Sequence, residues 1–443
     1  MAIDSVWRSA VAGSGESQVP QSREVPHASE VALSIRIAAY VAVLLGYVFY
    51  CYNYIVVGFV RPYLVSQVGF SISDTALITM AGNVGVTIGA IVWSHFVARA
   101  GRRKAVILIA TGIGTLAVLQ AATRILGVWI GLRFFMDGLL GGYYVVATSL
   151  VVALFPAKSR AKLIALNSAM YPGANILIGV LGGWLGDAHW TVLLWLAAMP
   201  LPIAVVLFFA VPKDSNYAAY DDEAGSGTDG GGRWSEMFAP RLRWIMAGCI
   251  LLSGLDFNAW QLFQGFVTLY VKNTLGMTAA AMGAIVAFTS AGSFIGNFFW
   301  AIIADRFGRK VPLIGYILAA VMVLVFVQPG LDQTWLSLFG FVFGFGMSCT
   351  TAWGAWFAEL FPVRLRPFGA ALFHIGHVMA LGAPLLAAYT TQHLGITTSM
   401  SLASVVYVAG AALWFALPET RKGGFKASVA RDAAALAPAA KEG

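Results

Sequence analysis

Arg99-Ala100-Gly101-Arg102-Arg103 stands between two long apolar runs, and Asp305-Arg306-Phe307-Gly308-Arg309-Lys310 stands between two others 206 or 207 positions later. The same shift superposes Gly69 on Gly276, Gly89 on Gly296, Gly101 on Gly308, Arg102 on Arg309 and Arg103 on Lys310. Leu154-Phe155-Pro156 then falls on Leu360-Phe361-Pro362, and Arg160 on Arg366. Agreement at so many turn and charge positions marks one unit written twice. Between Pro212 and Arg243 the hydrophobicity collapses into Asp221-Asp222-Glu223, followed by Gly225, Gly227 and Gly230 to Gly232. This is linker composition, so the two halves divide there.

Hydrophobic residues make up 59% of the chain and charged ones 11%, against roughly 45–50% and about 25% in soluble domains. About 20 helical residues cross a hydrocarbon core of roughly 30 Å. Twelve apolar runs meet that length, at 34–60, 74–98, 104–123, 128–154, 161–185, 190–211, 243–272, 278–304, 310–328, 332–360, 366–391 and 396–417. The expected fold is an all-α membrane protein of twelve transmembrane helices in two pseudo-symmetric six-helix bundles. A net charge of +8 could point to nucleic acid, but its distribution points to membrane orientation. With the amino terminus cytoplasmic, the inward segments hold 24 of the 28 Lys/Arg, the rest being Arg61, Arg124, Arg133 and Lys272. The positive-inside rule then puts both termini in the cytoplasm of a multi-pass protein of the cell inner (plasma) membrane. The start lacks the basic-then-apolar order of a signal peptide. The expected division is a disordered cytoplasmic tail at 1–33, a bundle at 34–211, a cytoplasmic linker at 212–242, a second bundle at 243–417 and a cytoplasmic tail at 418–443. Cys51, Cys249 and Cys349 lie in different spans without metal-ligand spacing or a redox pair, and read as packing residues.

The loop Asp305 to Lys310 resembles the signature loop of the major facilitator superfamily, and Arg99 to Arg103 resembles its first-half copy. Glu359-Leu360-Phe361-Pro362, closed by Arg366, is similar to the element between helices 10 and 11, and Pro418-Glu419-Thr420-Arg421 to the ending after helix 12. Within that superfamily the chain looks most like proton symporters of aromatic acids and related carboxylates. The resemblance implies that the loop acid latches the cytoplasmic side by pairing with basic residues and a helix end of the facing half. A carboxylate near a helix amino terminus gains roughly 0.3–1 kcal/mol, and charge-assisted pairs add to it. Here the first half carries Ala98 and Ala153 where the second has Asp305 and Glu359. The expectation is a one-sided cytoplasmic gate of Asp305, Glu359, Arg306 and Arg309 with Arg366, in which Arg99 and Arg102 lack their usual partners. Alternatively, these charges only set orientation.

Ionisable side chains inside the spans are functional hypotheses by default. Asp256 lies 13 residues past Arg243, roughly 20 Å along helix 7, with Trp260, Phe263 and Gln264 at helical spacing on its face. Removal from water favours a carboxyl's protonated form, as proton coupling requires; a helix-packing hydrogen bond is the alternative. His374 and His377 share a face of helix 11 and suit carboxylate binding or proton exchange, or else interhelical packing. The related stretch in carboxylate symporters reads Asn-x-Gly-Arg, where this chain has His374-Ile375-Gly376-His377. By the repeat, helix 5 faces it with Asn167, Tyr171 and Asn175. Helix 1 presents Tyr47, Tyr50 and Tyr54 beside Asn53, where the resemblance places an acid; its absence moves proton coupling to Asp256, His374 or His377. Such aromatic stripes, like Trp353 and Trp356 on helix 10, also arise from packing alone. Arg133 and Asp137 stand four apart, as an outer-vestibule or structural pair or as an anion clamp.

Together with the resemblance, these residues imply a secondary transporter that imports a small organic carboxylate with protons by alternating access; a monomer is expected. Its partners are small molecule, protons and lipid; no nucleic acid, metal or cofactor is expected beyond the proton gradient. A sugar or drug carrier of the same superfamily is the alternative, favoured by a hydroxyl-binding cavity with no need of His377. A non-transporting receptor calls for a folded signalling domain, and an enzyme for a motif such as His-Glu-x-x-His; neither is found in the sequence.

Overall fold

The structure, a computed structural model, describes residues 28–214, 234–240, 242–362 and 365–420. The expected tails through residue 27 and from Arg421 onward, and the linker core containing Asp221-Asp222-Glu223, lie outside the described residues. Among the described residues eleven helices are long and apolar enough to cross a membrane, and a shorter apolar one stands ninth. In the first half these are α1 (Leu33–Tyr63, extended by a π turn, Leu64–Val68), α2 (Ile72–Ala100), α3 (Arg102–Ala122), α4 (Leu126–Leu154), α5 (Ala157–Leu185) and α6 (Thr191–Ala210). The second half holds α7 (Leu242–Thr274), α8 (Ala279–Phe307), α9 (Leu313–Phe326), α10 (Gln333–Glu359), α11 (Arg366–Met379 and Ala383–Leu394) and α12 (Ile396–Ala416). Large apolar side chains such as Trp184, Phe135, Phe209 and Ile302 face outward, as lipid requires.

The repeat seen in the sequence is repeated in the packing. α2 packs on α4 as α8 does on α10, α3 on α6 as α9 on α12, and α1 on α5 as α7 on α11. The two signature loops carry matching devices. In the first half the Arg103 guanidinium lies over the Phe208 ring and donates to the Phe208 carbonyl, while Asp214 accepts from the Arg103 main-chain N–H at 3.1 Å. In the second, the Lys310 ammonium lies over Phe415 and donates to its carbonyl at 2.6 Å, while Glu419 accepts from the Lys310 N–H at 2.9 Å.

Three spans are interrupted by turns, and a broken helix in lipid frees carbonyls that must find donors. α6 breaks between Leu196 and Pro200, where proline at the start of the second segment has no N–H to offer. Asn53 of α1 supplies the missing donor to the Ala197 carbonyl at 2.9 Å, and the Tyr52 hydroxyl donates to Leu193 at 2.9 Å. α7 breaks after Phe263, and α1 again supplies the donor: Arg61 reaches the Gly265 carbonyl. The third break, before Ala383 in α11, is followed by Pro384.

The halves meet at the end opposite the two basic loops. There α5 crosses α8 so closely that a methyl added at Gly283 would stand 2.2 Å from the Gly179 carbonyl oxygen. α2 meets the second segment of α11 through Gln392 and Ser73 at 3.0 Å, and α1 meets α7 through the Thr268 hydroxyl and the Gly58 carbonyl at 2.8 Å. Lys272 pairs with Asp187 at 2.8 Å on the rim. The helix pairs in extensive contact between halves all lie at this end, so the interior opens toward the basic end.

Candidate functional site

The wall given by the first half is built of tyrosines. On α1, Tyr47, Tyr50 and Tyr54 follow one another at helical spacing, and α4 sets Tyr143 and Tyr144 against them. Tyr50 stacks on Tyr143 with centroids 6.2 Å apart, and Tyr47 lies 6.5 Å from both Tyr143 and Tyr144. Tyr171 of α5 lies 6.3 Å from Tyr54 and closes the row. The close approach is allowed by Gly46, whose vacant Cβ position is taken by the Tyr143 hydroxyl; that hydroxyl donates to the Val43 carbonyl at 3.1 Å.

The facing wall comes from α11 and α7. His374 and His377 lie one turn apart with their rings nearly parallel and centroids 6.2 Å apart. His377 is in ring contact with Phe257 and packs edge-on to Phe373. His374 is accessible and stands 5.9 Å from Tyr144 across the space between the halves. His374, an imidazole that can donate or accept, thus stands opposite the Tyr144 ring, with His377 one turn away against Phe257. Such an arrangement can hold a flat, conjugated group between its walls and meet a polar end at the histidines. Tyr143, Tyr144 and Phe257 were not anticipated; the Tyr-Tyr pair directly after Gly141-Gly142 was the available signal.

The remaining candidates lie elsewhere. Asp256 is 2% exposed and points into the second bundle, among Tyr316 of α9, Cys349 of α10 and Tyr407 of α12, away from the neighbouring Phe257–His377 contact. Phe263 packs on Phe326 and Phe343 in that same interior. Trp353 is fully buried against Tyr316, Phe357 and Trp414, and Trp356 against Trp414. Asn53 and Asn167 are buried in the first bundle, Asn53 at the α6 break and Asn167 beside the Tyr40 hydroxyl at 3.2 Å. Trp260 and Gln264 are half-buried on α7. The α7 side that carries Asp256 and Phe263 turns into the second bundle, because helical spacing fixes which residues share a side but not where that side turns.

Arg133 and Asp137 form a pair at 3.0 Å, each side chain 3% exposed. Arg133 also donates to the Tyr54 carbonyl at 3.3 Å. Rather than opening on a vestibule, the pair is sealed behind the tyrosine row, and Gly82 of α2 leaves the room: a methyl there would lie 1.9 Å from Asp137 Oδ2.

At the basic end Arg309 bonds Asp305 at 2.6 Å and Glu359 at 2.7 and 3.1 Å, and the Thr420 hydroxyl donates to Glu359 at 2.6 Å. The hydrogen bonds that Arg309 donates to Glu359, and then the one it donates to Asp305, hold its guanidinium above its usual pKa. Arg306 stays outside this cluster, exposed and over the Phe307 ring, and Arg366 is exposed at the start of α11. Arg102, whose usual acidic partners are replaced by Ala98 and Ala153, has Asp214 3.9 Å from its guanidinium instead. Asp214 is displaced by one position from the repeat of Glu419, so alignment of the halves did not reveal it.

Comparison with known proteins agrees with this architecture. The chain is 25% identical over 341 residues to the cis,cis-muconate transport protein of Acinetobacter baylyi, covering 73% of this chain and 78% of that protein. It is 29% identical over 169 residues to the gallate transporter of Pseudomonas putida, a match spanning 37% of either chain. The solved structure of a D-xylose-proton symporter superposes with a TM-score of 0.68 at 17% identity, covering 87% of this chain and 98% of that one, which speaks for the fold alone. The sequence model of the Major Facilitator Superfamily matches residues 43–257 and again 249–441. The chain is therefore a multi-pass transporter that belongs to the Major Facilitator Superfamily.

Proposed function

We propose that this transporter imports a small aromatic or conjugated carboxylate together with protons, as a monomer in the inner membrane with both termini cytoplasmic. On that orientation it stands open to the cytoplasm. The observation that carries the reading is the Tyr144–His374 approach across the two halves, 5.9 Å between rings, with His377 one turn above it. Aromatic walls suit a planar substrate, and an imidazole can carry either the proton or the hydrogen bond to a carboxylate. The muconate and gallate transporters among its relatives handle molecules of that kind. His377 is the proposed coupling residue, with His374 beside it. Asp256, enclosed in the second bundle on α7 one residue from the Phe257 ring that touches His377 of α11, is a second proton site.

The test is reconstitution into liposomes holding a pH-sensitive dye, with gallate, cis,cis-muconate, a sugar acid and neutral sugars added one at a time, read against protein-free vesicles. Acidification driven by an aromatic or dienoic acid, reduced at least about tenfold in His377→Gln as for loss of a general acid or base, is the expected result. Silence with every acid, alongside uptake of a neutral sugar, would establish the sugar-carrier reading instead.

A further inference from the structure

Arg61 lies on the tyrosine face of α1, at i+7 from Tyr54 and roughly 11 Å farther toward the closed end. It is 2% exposed. Its guanidinium donates to Thr79 Oγ1 of α2 at 2.9 Å and to the Gly265 carbonyl of α7, and sits over the Phe266 ring at 5.0 Å. Its Nε is buried without a partner. Among the described residues no carboxylate pairs with it: both acceptors are neutral oxygens. A buried cation held only by neutral acceptors is one that an incoming anion can claim, since bidentate arginine–carboxylate pairs are among the strong charge-assisted hydrogen bonds.

We propose that Arg61 is an anion-reading latch at the dead end of the cavity. While that end is closed, the guanidinium bridges the halves by satisfying the broken α7 at Gly265. When the end opens, Gly265 leaves with the second half, and the substrate carboxylate takes its place on the fork. The latch thus exchanges one oxygen for another instead of exposing a bare cation, which lets an acidic substrate favour opening where a neutral one does not. This inference rests on the carboxylate reading above and adds the residue that first meets the acid from outside.

The test uses the full chain in nanodiscs, spin-labelled at Ile125→Cys and Trp335→Cys, exposed positions on opposite halves at the closed end; the three native cysteines are buried. Distances are recorded with and without gallate or cis,cis-muconate, and affinities by calorimetry. The expected result is that an acid lengthens the distance in the parent protein. Arg61→Gln should lengthen it without acid, abolish the response and weaken the acid roughly ten- to hundredfold. Arg61→Lys, which keeps the charge but not the fork, should fall between the two. Equal acid affinity in the parent and Arg61→Gln, or an unchanged distance in that variant, would overturn the latch. A parent protein that binds neither acid would instead remove the carboxylate reading on which it rests.

Discussion

The two ends of this molecule hold charge in opposite ways. At the basic end, charged groups pair within a half: Arg309 with Asp305 and Glu359 in one, Arg102 with Asp214 in the other. At the closed end, the contacts run between the halves and are mostly neutral: glycine faces of α5 and α8, main-chain carbonyls at Gly58 and Gly265, and a glutamine–serine pair. The difference teaches how such a protein can rock. Ion pairs inside each half brace it as a body, whereas the surface between bodies is built of contacts that separate without stranding many charges in a dry interface.

The largest effect should come from the glycine crossing. Gly283→Val inserts side-chain atoms where even a methyl would meet the Gly179 carbonyl, and overpacking of this kind costs about 1–3 kcal/mol. The closed end should therefore open, with cross-half label distances lengthened and transport reduced at least about tenfold; normal transport by this variant would show that something else holds the end shut. Next comes Arg309→Gln, which strips Glu359 of its main partner. Charge-assisted hydrogen bonds contribute about 1.5–3 kcal/mol, but Asp305 is 71% exposed and its share is screened. We expect the second half to lose about 2 kcal/mol, read as a lowered midpoint in thermal unfolding followed by tryptophan fluorescence. A shift in label distance with no loss of stability would mean that the cluster latches the halves rather than bracing one of them. The smallest effect should be that of Lys272→Ala on the rim, where the pair with half-exposed Asp187 contributes no more than about 1 kcal/mol. Transport within about twofold of the parent is expected, and a double-mutant cycle with Asp187→Asn measures the pair directly.

The sequence repeat located both signature loops and the correspondence of the halves, because turn glycines and flanking charges keep their spacing whatever the helices do in between. Gly101 and Gly308 both lie at positive φ, +88° and +122°, so the same backbone demand stands behind the pattern. The site was only partly legible. Tyr50, Tyr54 and Tyr171 form one row and His374 and His377 another, joined through Tyr144, but Asn53, Asn167 and Trp353 turn into bundle cores. Asn53 illustrates why: its role follows from a break in α6 that lies 144 residues away in sequence, and nothing near Asn53 announces it.

What the amino-acid sequence determined by itself is the number and order of the spans, the two-fold repetition and the basic end, since hydrophobicity, turn chemistry and charge are properties of local stretches. Only the tertiary structure decided which end is closed, which acid reaches Arg102, and that Asp256 and the histidines, on neighbouring helices of one bundle, face different ways. In a membrane helix the side toward lipid and the side toward protein are both apolar, so periodicity alone does not aim a face. That direction is set by the glycines and helix breaks of other segments, which act only once the chain has packed.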